Sequence, residues 1–254
     1  NSFKVWGGFT GLRNIATYTT GAANATLTPA VPFRLGEQVF VSVTHAHSAL
    51  GVPTRPFVMS FRAQAGAGPA TFPVQSAGSP FTAGTTPYTV AFGDVDGDGD
   101  LDMAAANFGS ATASIFVNNG SGTYTMASTV GAGTNPVAIA FGDLDNDNDV
   151  DLVIVNQVSS NITVLRNNGL GTFAPVVGSP FAVGAAIQGV ALGDVDADGD
   201  MDIATSISGT SSLAIMLNNG NGIFSAAPGS PFASGGTSPI HVALGDVDGD
   251  GDLD

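Results

Sequence analysis

An all-β fold of repeated four-stranded blades, an incomplete β-propeller, is predicted by three features of this 254-residue sequence. All twenty aspartates fall in four nine-residue segments, Asp94 to Asp102, Asp143 to Asp151, Asp194 to Asp202 and Asp246 to Asp254, whose first residues are 49, 51 and 52 apart. Each segment follows a short apolar run ending in Gly-Asp. In the first three repeats two further apolar runs come next, the second closed by Asn-Asn-Gly at Asn118, Asn167 and Asn218. Only 11% of residues are charged, while Gly, Ala, Ser and Thr abound, which suits strands and tight turns better than long helices.

The front of the chain stands apart. Phe3-Lys4-Val5-Trp6 reads as strand at the very start, so the chain shows no signal peptide and no initiator Met and reads as a piece of something longer. Pro32-Phe33-Arg34-Leu35-Gly36-Glu37-Gln38-Val39-Phe40-Val41 alternates into a strand, and Pro56-Phe57-Val58-Met59-Ser60-Phe61 supplies another. This pattern resembles the C-terminal strands of a bacterial Ig-like domain of the SbsA type, which implies a partial Ig-like β-sandwich over residues 1–62. Residues 63–70 form the linker and the start of a closing strand. The blades occupy 71–254, with repeats at about 86–135, 136–186, 187–238 and 239–254, the last incomplete.

Within a repeat, the first strand ends in Gly93, Gly142, Gly193 or Gly245, and the acidic loop follows. The second strand is continuously apolar, as in Leu152-Val153-Ile154-Val155, which is expected of a strand covered on both faces. Asn-Gly between apolar runs is a strong hairpin signal, because the turn needs positive φ. A fourth short strand begins at Tyr124, Phe173 and Phe224. Four strands per roughly fifty residues is the period of propeller blades. Gly78-Ser79-Pro80-Phe81 matches Gly178-Ser179-Pro180-Phe181 and Gly229-Ser230-Pro231-Phe232, so residues 66–76 read as the outer strand of a blade whose inner strands lie beyond Asp254 or come from another molecule.

Five carboxylates in nine residues repel one another unless a cation sits among them. Calcium takes six to eight hard oxygen ligands at about 2.3–2.6 Å, and a loop supplies them by turning alternate side chains inward. Asp94, Asp96, Asp98 and Asp102 are the side-chain candidates of the first loop, with Asp100 giving its carbonyl and Gly99 the sharp turn. The equivalents are Asp143, Asp145, Asp147 and Asp151 with Asp149; Asp194, Asp196, Asp198 and Asp202 with Asp200; and Asp246, Asp248, Asp250 and Asp254 with Asp252. The second loop has Asn148 where the others have Gly, and Asn tolerates left-handed backbone. An EF-hand would need Glu at loop position 12, where Ala105, Ile154 and Thr205 stand. Magnesium needs fewer carboxylates and keeps its waters. Up to four calcium ions are thus expected, in a structural role.

Phe-Gly-Asp-x-Asp-x-Asp-Gly-Asp-x-Asp before an apolar strand resembles the FG-GAP/VCBS repeat, over roughly residues 66–254. That resemblance implies calcium-binding propeller blades like those of integrin α-subunit heads, commonly seven to a ring, and a secreted or cell-surface location.

Charge narrows the function. Residues 1–62 sum to +4 and the remainder, with Arg166 as its one basic residue, to −19. Four divalent cations would bring the whole-chain −15 to −7. So acidic a chain repels nucleic acid, and no apolar run approaches the ~20 residues of a membrane span. Cysteine is absent, which removes disulfides and thiolate metal sites. No nucleophile or acid–base pair stands outside the loops, so no enzyme is expected; His45 and His47 alternate along one strand without a third ligand, and His241 occupies an ordinary strand position. Three Asn-x-Ser/Thr triplets, at Asn24, Asn119 and Asn161, match the glycosylation pattern. The expected role is structural or adhesive, with other copies of itself, a cell-surface or matrix protein, or a glycan as partner. The +4 front and −19 remainder suit a head-to-tail contact, which extends into a filament where it does not close. A carbohydrate-binding propeller is the alternative.

Overall fold

In the computed structural model, residues 79–249 and 251–254 are described in full, together with the backbone of six strands that precede them. Those six are β1 (Phe3–Gly7), β2 (Gly11–Leu12), β3 (Ile15–Thr20), β4 (Ala25–Pro29), β5 (Gln38–Val43) and β6 (Phe57–Arg62). They form one sheet in the order β2-β1-β5-β6 and a separate β3-β4 hairpin. The two strands expected around Val39 and Val58 pair antiparallel, with Gln38 opposite Arg62 and Val43 opposite Phe57. His45, His47, the linker and residues 66–76 lie outside the described residues.

Three antiparallel sheets follow in sequence, each wound outward from its first strand. The first comprises β7 (Pro87–Gly93), β8 (Asp102–Asn107), β9 (Thr112–Asn118) and β10 (Tyr124–Gly131). The second comprises β11 (Pro136–Gly142), β12 (Asp151–Asn156), β13 (Asn161–Asn167) and an outer edge in two pieces, β14 (Phe173–Pro175) and β15 (Phe181–Ala182). The third repeats this with β16 (Ile187–Gly193), β17 (Asp202–Ile207), β18 (Ser212–Asn218), β19 (Phe224–Ala226) and β20 (Phe232–Ala233). All-β structure in successive four- and five-stranded sheets is the partial propeller expected from the repeat.

The outer edge breaks for a local reason. Where Gly-Ser-Pro-Phe interrupts the ladder, a serine hydroxyl replaces a backbone acceptor: Val164 N–H donates to Ser179 Oγ at 3.0 Å, and Ile215 N–H to Ser230 Oγ at 3.1 Å. The first sheet lacks this motif and keeps one continuous outer strand, with a bulge between Met126 and Ser128.

The core lies between the sheets. Leu152 and Ile154 of β12 face the first sheet, among Val95, Ala104, Ile115 and Phe141. Val153 and Val155 of the same strand face the third, among Ile187, Ile203 and Met216. Every residue of β12 and of β17 is buried, which is why their sequences do not alternate. Phe181 of the second sheet packs edge-on against Phe224 of the third, ring centroids 5.5 Å apart. Phe81 meets Tyr124 of the first sheet in the same way at 5.5 Å, so it holds against the first sheet the place that Phe181 holds against the third.

The fourth repeat forms its acidic loop, closed by reciprocal backbone bonds between Gly245 and Asp254 at 3.2 and 2.9 Å. The apolar run before it, residues 239–244, is not a strand. His241 is exposed within that run.

Candidate metal centres

Each acidic loop links the first and second strands of its sheet, and its own aspartates fold it. The position-1 carboxylate accepts the N–H of position 6: Gly99 to Asp94 at 2.9 Å, Asn148 to Asp143 at 3.1 Å, Gly199 to Asp194 at 2.9 Å and Gly251 to Asp246 at 3.2 Å. The turn requires left-handed backbone at positions 4 and 6. Gly97 and Gly99 serve in the first loop, Asn146 and Asn148 (φ 62° and 74°) in the second, and Ala197 (φ 61°) with Gly199 in the third. The requirement at position 6 is legible in the sequence, whereas that at position 4 is masked by Ala197.

The position-9 aspartate is a clamp. Asp151 Oδ2 accepts Leu144 N–H at 3.0 Å from the start of its loop, and Oδ1 accepts Asn167 N–H at 2.8 Å from the end of β13. Asp102 does the same with Val95 and Asn118 at 2.8 and 2.7 Å, and Asp202 with Val195 and Asn218 at 2.9 and 2.8 Å. Loop, second strand and third strand are thus tied at one buried carboxylate.

Positions 1, 3 and 9 converge. In each of the groups Asp94/Asp96/Asp102, Asp143/Asp145/Asp151, Asp194/Asp196/Asp202 and Asp246/Asp248/Asp254, one carboxylate oxygen per residue lies within 4.8 Å of the others. Position 5 stands outside these triads. Asp98, Asp147 and Asp198 each accept the N–H two residues on, at 2.9, 3.0 and 2.9 Å. Asp250 lies outside the described residues. The position-7 carboxylates of Asp100, Asp149 and Asp200 lie against Gly120, Gly169 and Gly220 of the Asn-Asn-Gly turns, where a Cβ would sit.

Electrostatics mark the triads as short of positive charge. Burial pushes Asp143 and Asp151 up to about 7 and Asp202 up to about 6, with neighbouring carboxylates adding to the rise and backbone N–H donors opposing it. Asp102, Asp145 and Asp149 are raised for the same first cause. Asp143 Oδ1 and Asp145 Oδ1 are buried without a hydrogen-bond partner. An all-oxygen triad with buried acceptors left over fits a hard divalent cation. The second loop also has an internal cation, Arg166, whose Nε lies 2.9 Å from Asp145 and 3.9 Å from Asp147.

Sequence reasoning read Asn118, Asn167 and Asn218 as turn residues only and missed that Asn167 and Asn218 bind the preceding loop. Asn167 Nδ2 donates to Val95 O of the preceding loop at 2.8 Å, and Asn218 Nδ2 to Leu144 O at 2.7 Å. Gly171 and Gly222 N–H reach the same two carbonyls at 2.7 and 3.1 Å. The recurrence of Asn 16 residues after the position-9 aspartate was the signal available.

Fold and site together define a repeat-built propeller segment with one acidic loop per blade. The model for the FG-GAP-like repeat matches residues 94–154, 144–205 and 206–254, well over half the chain, and the chain belongs to that family. No curated protein matches it. Among solved structures it is similar to an Agrocybe aegerita lectin, described in terms of specific recognition of non-reducing terminal N-acetylglucosamine, at 18% identity and a TM-score of 0.40, covering 76% of this chain and 52% of that one. A Lactobacillus plantarum protein is 15% identical with a TM-score of 0.43, covering 89% of this chain and 65% of the other. The chain thus spans less than two thirds of either, and likenesses this remote carry no argument about ligand.

Proposed function

We propose that this chain is the calcium-stiffened, non-enzymatic propeller part of a secreted or cell-surface protein that serves adhesion or extracellular assembly, preceded by part of an Ig-like domain. The observation that carries this reading is the return of the same three converging carboxylates in all four loops. Asp94, Asp96 and Asp102 and their equivalents would hold the ion, with the position-7 carbonyls and position-5 carboxylates as further oxygens. Bound calcium supplies the positive charge these buried groups lack and locks the loop that ties three strands together. Extracellular modules bind calcium at about 10⁻⁴–10⁻³ M, which an extracellular location would satisfy. The paired β5 and β6 strands support the Ig-like reading of the front.

Thermal unfolding with calcium and with a chelator is the test. At free calcium about 100-fold above Kd each filled loop adds ~2.7 kcal/mol, so chelation should lower the melting temperature markedly. A melting temperature indifferent to chelation would sink the proposal.

A further inference from the structure

Two asparagines each touch two acidic loops at once. Asn167 N–H donates to Asp151 Oδ1 of the second loop at 2.8 Å, while its Nδ2 donates to Val95 O of the first loop at 2.8 Å. Asn218 does the same one blade on, with its N–H on Asp202 Oδ1 at 2.8 Å and its Nδ2 on Leu144 O at 2.7 Å. The residues they meet continue the path. Val95 N–H donates to Asp102 Oδ2 at 2.8 Å, and Leu144 N–H to Asp151 Oδ2 at 3.0 Å. Asp102, Asp151 and Asp202, the position-9 carboxylates of three successive loops, are therefore joined by an unbroken run of hydrogen bonds, none longer than 3.0 Å. The whole run is covered, with its seven residues between 0% and 4% exposed.

Such a run transmits position. Its groups are closely packed and out of reach of water, so one cannot shift unless its partner follows or a buried polar group loses its hydrogen bond. Each loop has something to transmit. Without a cation, the carboxylates of positions 1, 3 and 9 repel one another although their oxygens lie within 4.8 Å, and an ion removes that opposition. Filling the second loop then acts on the first in two ways of opposite sign. Through space, the added positive charge disfavours a second cation, an effect that salt screens over about 8 Å at physiological ionic strength. Through the run, a closed second loop fixes Asp151, Asp151 fixes Asn167, and the Asn167 amide holds Val95, and with it Asp102, where the first loop needs them. Less ordering is left for the first loop to do when it binds, which is positive coupling. Buried contacts are screened far less than exposed charge, so the second effect wins at physiological salt.

We propose that Asn167 and Asn218 are positioning residues that couple calcium binding between neighbouring loops, so that an ion in one loop raises the affinity of the next. The inference rests on the reading of the loops as calcium sites, and adds that the first three act as a linked series. The junction between the first and second loops isolates the asparagine. The second and third loops share a further tie, Asn146 Nδ2 to Asp200 Oδ1 at 2.9 Å, whereas the first loop has Gly97 in the place of Asn146. Val95 O also accepts Gly171 N–H at 2.7 Å. Asn167→Ala therefore leaves that carbonyl a donor and keeps the backbone N–H of residue 167 on Asp151, and removes only the link between the loops.

The test is a calcium titration of the 254-residue chain followed by NMR at about 0.15 M salt. The Gly99 and Asn148 amides, each bonded to the position-1 carboxylate of its own loop, report the first and second loops separately. Asp143→Asn together with Asp145→Asn disables the second loop and spares its Asp151 clamp. The pair removes two negative charges, as a bound divalent cation would, so the through-space effect is matched. It should weaken calcium at the first loop by about fivefold or more, the lower end of ordinary couplings between sites, and by less than about twofold once Asn167→Ala is also present. An asparagine that only stabilises the junction would lower the melting temperature in chelator and leave that ratio unchanged. Should Asn167→Ala fail to fold, Asn218→Ala should reduce the corresponding coupling of the third loop to the second, with Asp194→Asn and Asp196→Asn disabling the third. A first loop indifferent to the second, or weakened equally with and without the Asn167 side chain, would overturn the coupling and leave the calcium reading standing. Amides in every loop indifferent to calcium would remove both.

Discussion

Asp151 shows what a single carboxylate does in this fold. Both oxygens accept backbone N–H groups, from Leu144 and Asn167, and the side chain is buried. Asp151→Ala leaves two buried donors unpaired, at about 1–3 kcal/mol each. Urea unfolding in chelator should therefore show a loss of about 2–6 kcal/mol, with the additional loss of that loop's calcium when the ion is present. Asp147→Ala at an exposed position should cost less than ~1 kcal/mol under the same metal-free conditions. Arg166 acts in the opposite sense to a ligand, because its guanidinium sits 2.9 Å from Asp145 and competes with a cation for it. The Arg166 side chain is largely exposed while Asp145 is covered, and an ion pair screened by solvent on one side contributes about 1 kcal/mol, so Arg166→Gln should tighten calcium binding at the second loop by up to about fivefold at low salt. Site-resolved calorimetry checks this, and an unchanged or weaker affinity would contradict it.

At the scale of the element, the glycine that ends each first strand is set by its neighbour rather than by its backbone. Gly142 has ordinary negative φ, yet a Cβ there would lie 2.8 Å from Leu192 and 2.9 Å from the Met201 sulfur. Gly142→Ala should overpack the junction between the second and third sheets and cost about 1–3 kcal/mol. Gly245→Ala, with nothing within 4 Å among the described residues, should leave the melting temperature of the monomer unchanged. Equal effects at the two positions would show that contact with Leu192 and Met201 is not what excludes a side chain at Gly142. Most of this scale was legible beforehand. The continuous apolar run of β12 announced a strand covered on both sides, and Asn-Asn-Gly announced the turn into the outer strand. The two-piece outer edge was not, because a serine hydroxyl standing in for a carbonyl at Ser179 leaves no mark on hydrophobic periodicity.

For the whole molecule, the consequence of stacking acidic loops beside a buried core is a pH dependence that changes sign with calcium. In the metal-free protein Asp143 and Asp151 stand at about 7 and Asp202 at about 6, against an unfolded value of about 3.9. The folded state therefore binds more protons than the unfolded state between those values. These groups stabilise the fold fully below the unfolded value, and that stability is lost as pH rises through 6 to 7. Metal-free protein should melt higher near the acid end of that window than above it. Saturated with calcium, the same carboxylates must shed their protons to bind, so acidification should lower the melting temperature instead. Melting curves at two pH values, with chelator and with calcium, decide both halves.

The sequence by itself determined what depends on near neighbours along the chain. Carboxylates at every second position, Gly or Asn at position 6 and Gly at the hairpin turns act within a few residues of one another, and their pattern is the geometry. Which of those carboxylates converge, and which turn away to hold the backbone, required the folded loop, because positions 1, 3 and 9 meet only once the turn has closed. The junctions were decided by tertiary structure alone. Asn167 and Val95 are 72 residues apart, and Asn218 and Leu144 are 74 apart. A bond across that separation exists only because two blades, each burying an apolar strand it cannot cover by itself, are pressed together.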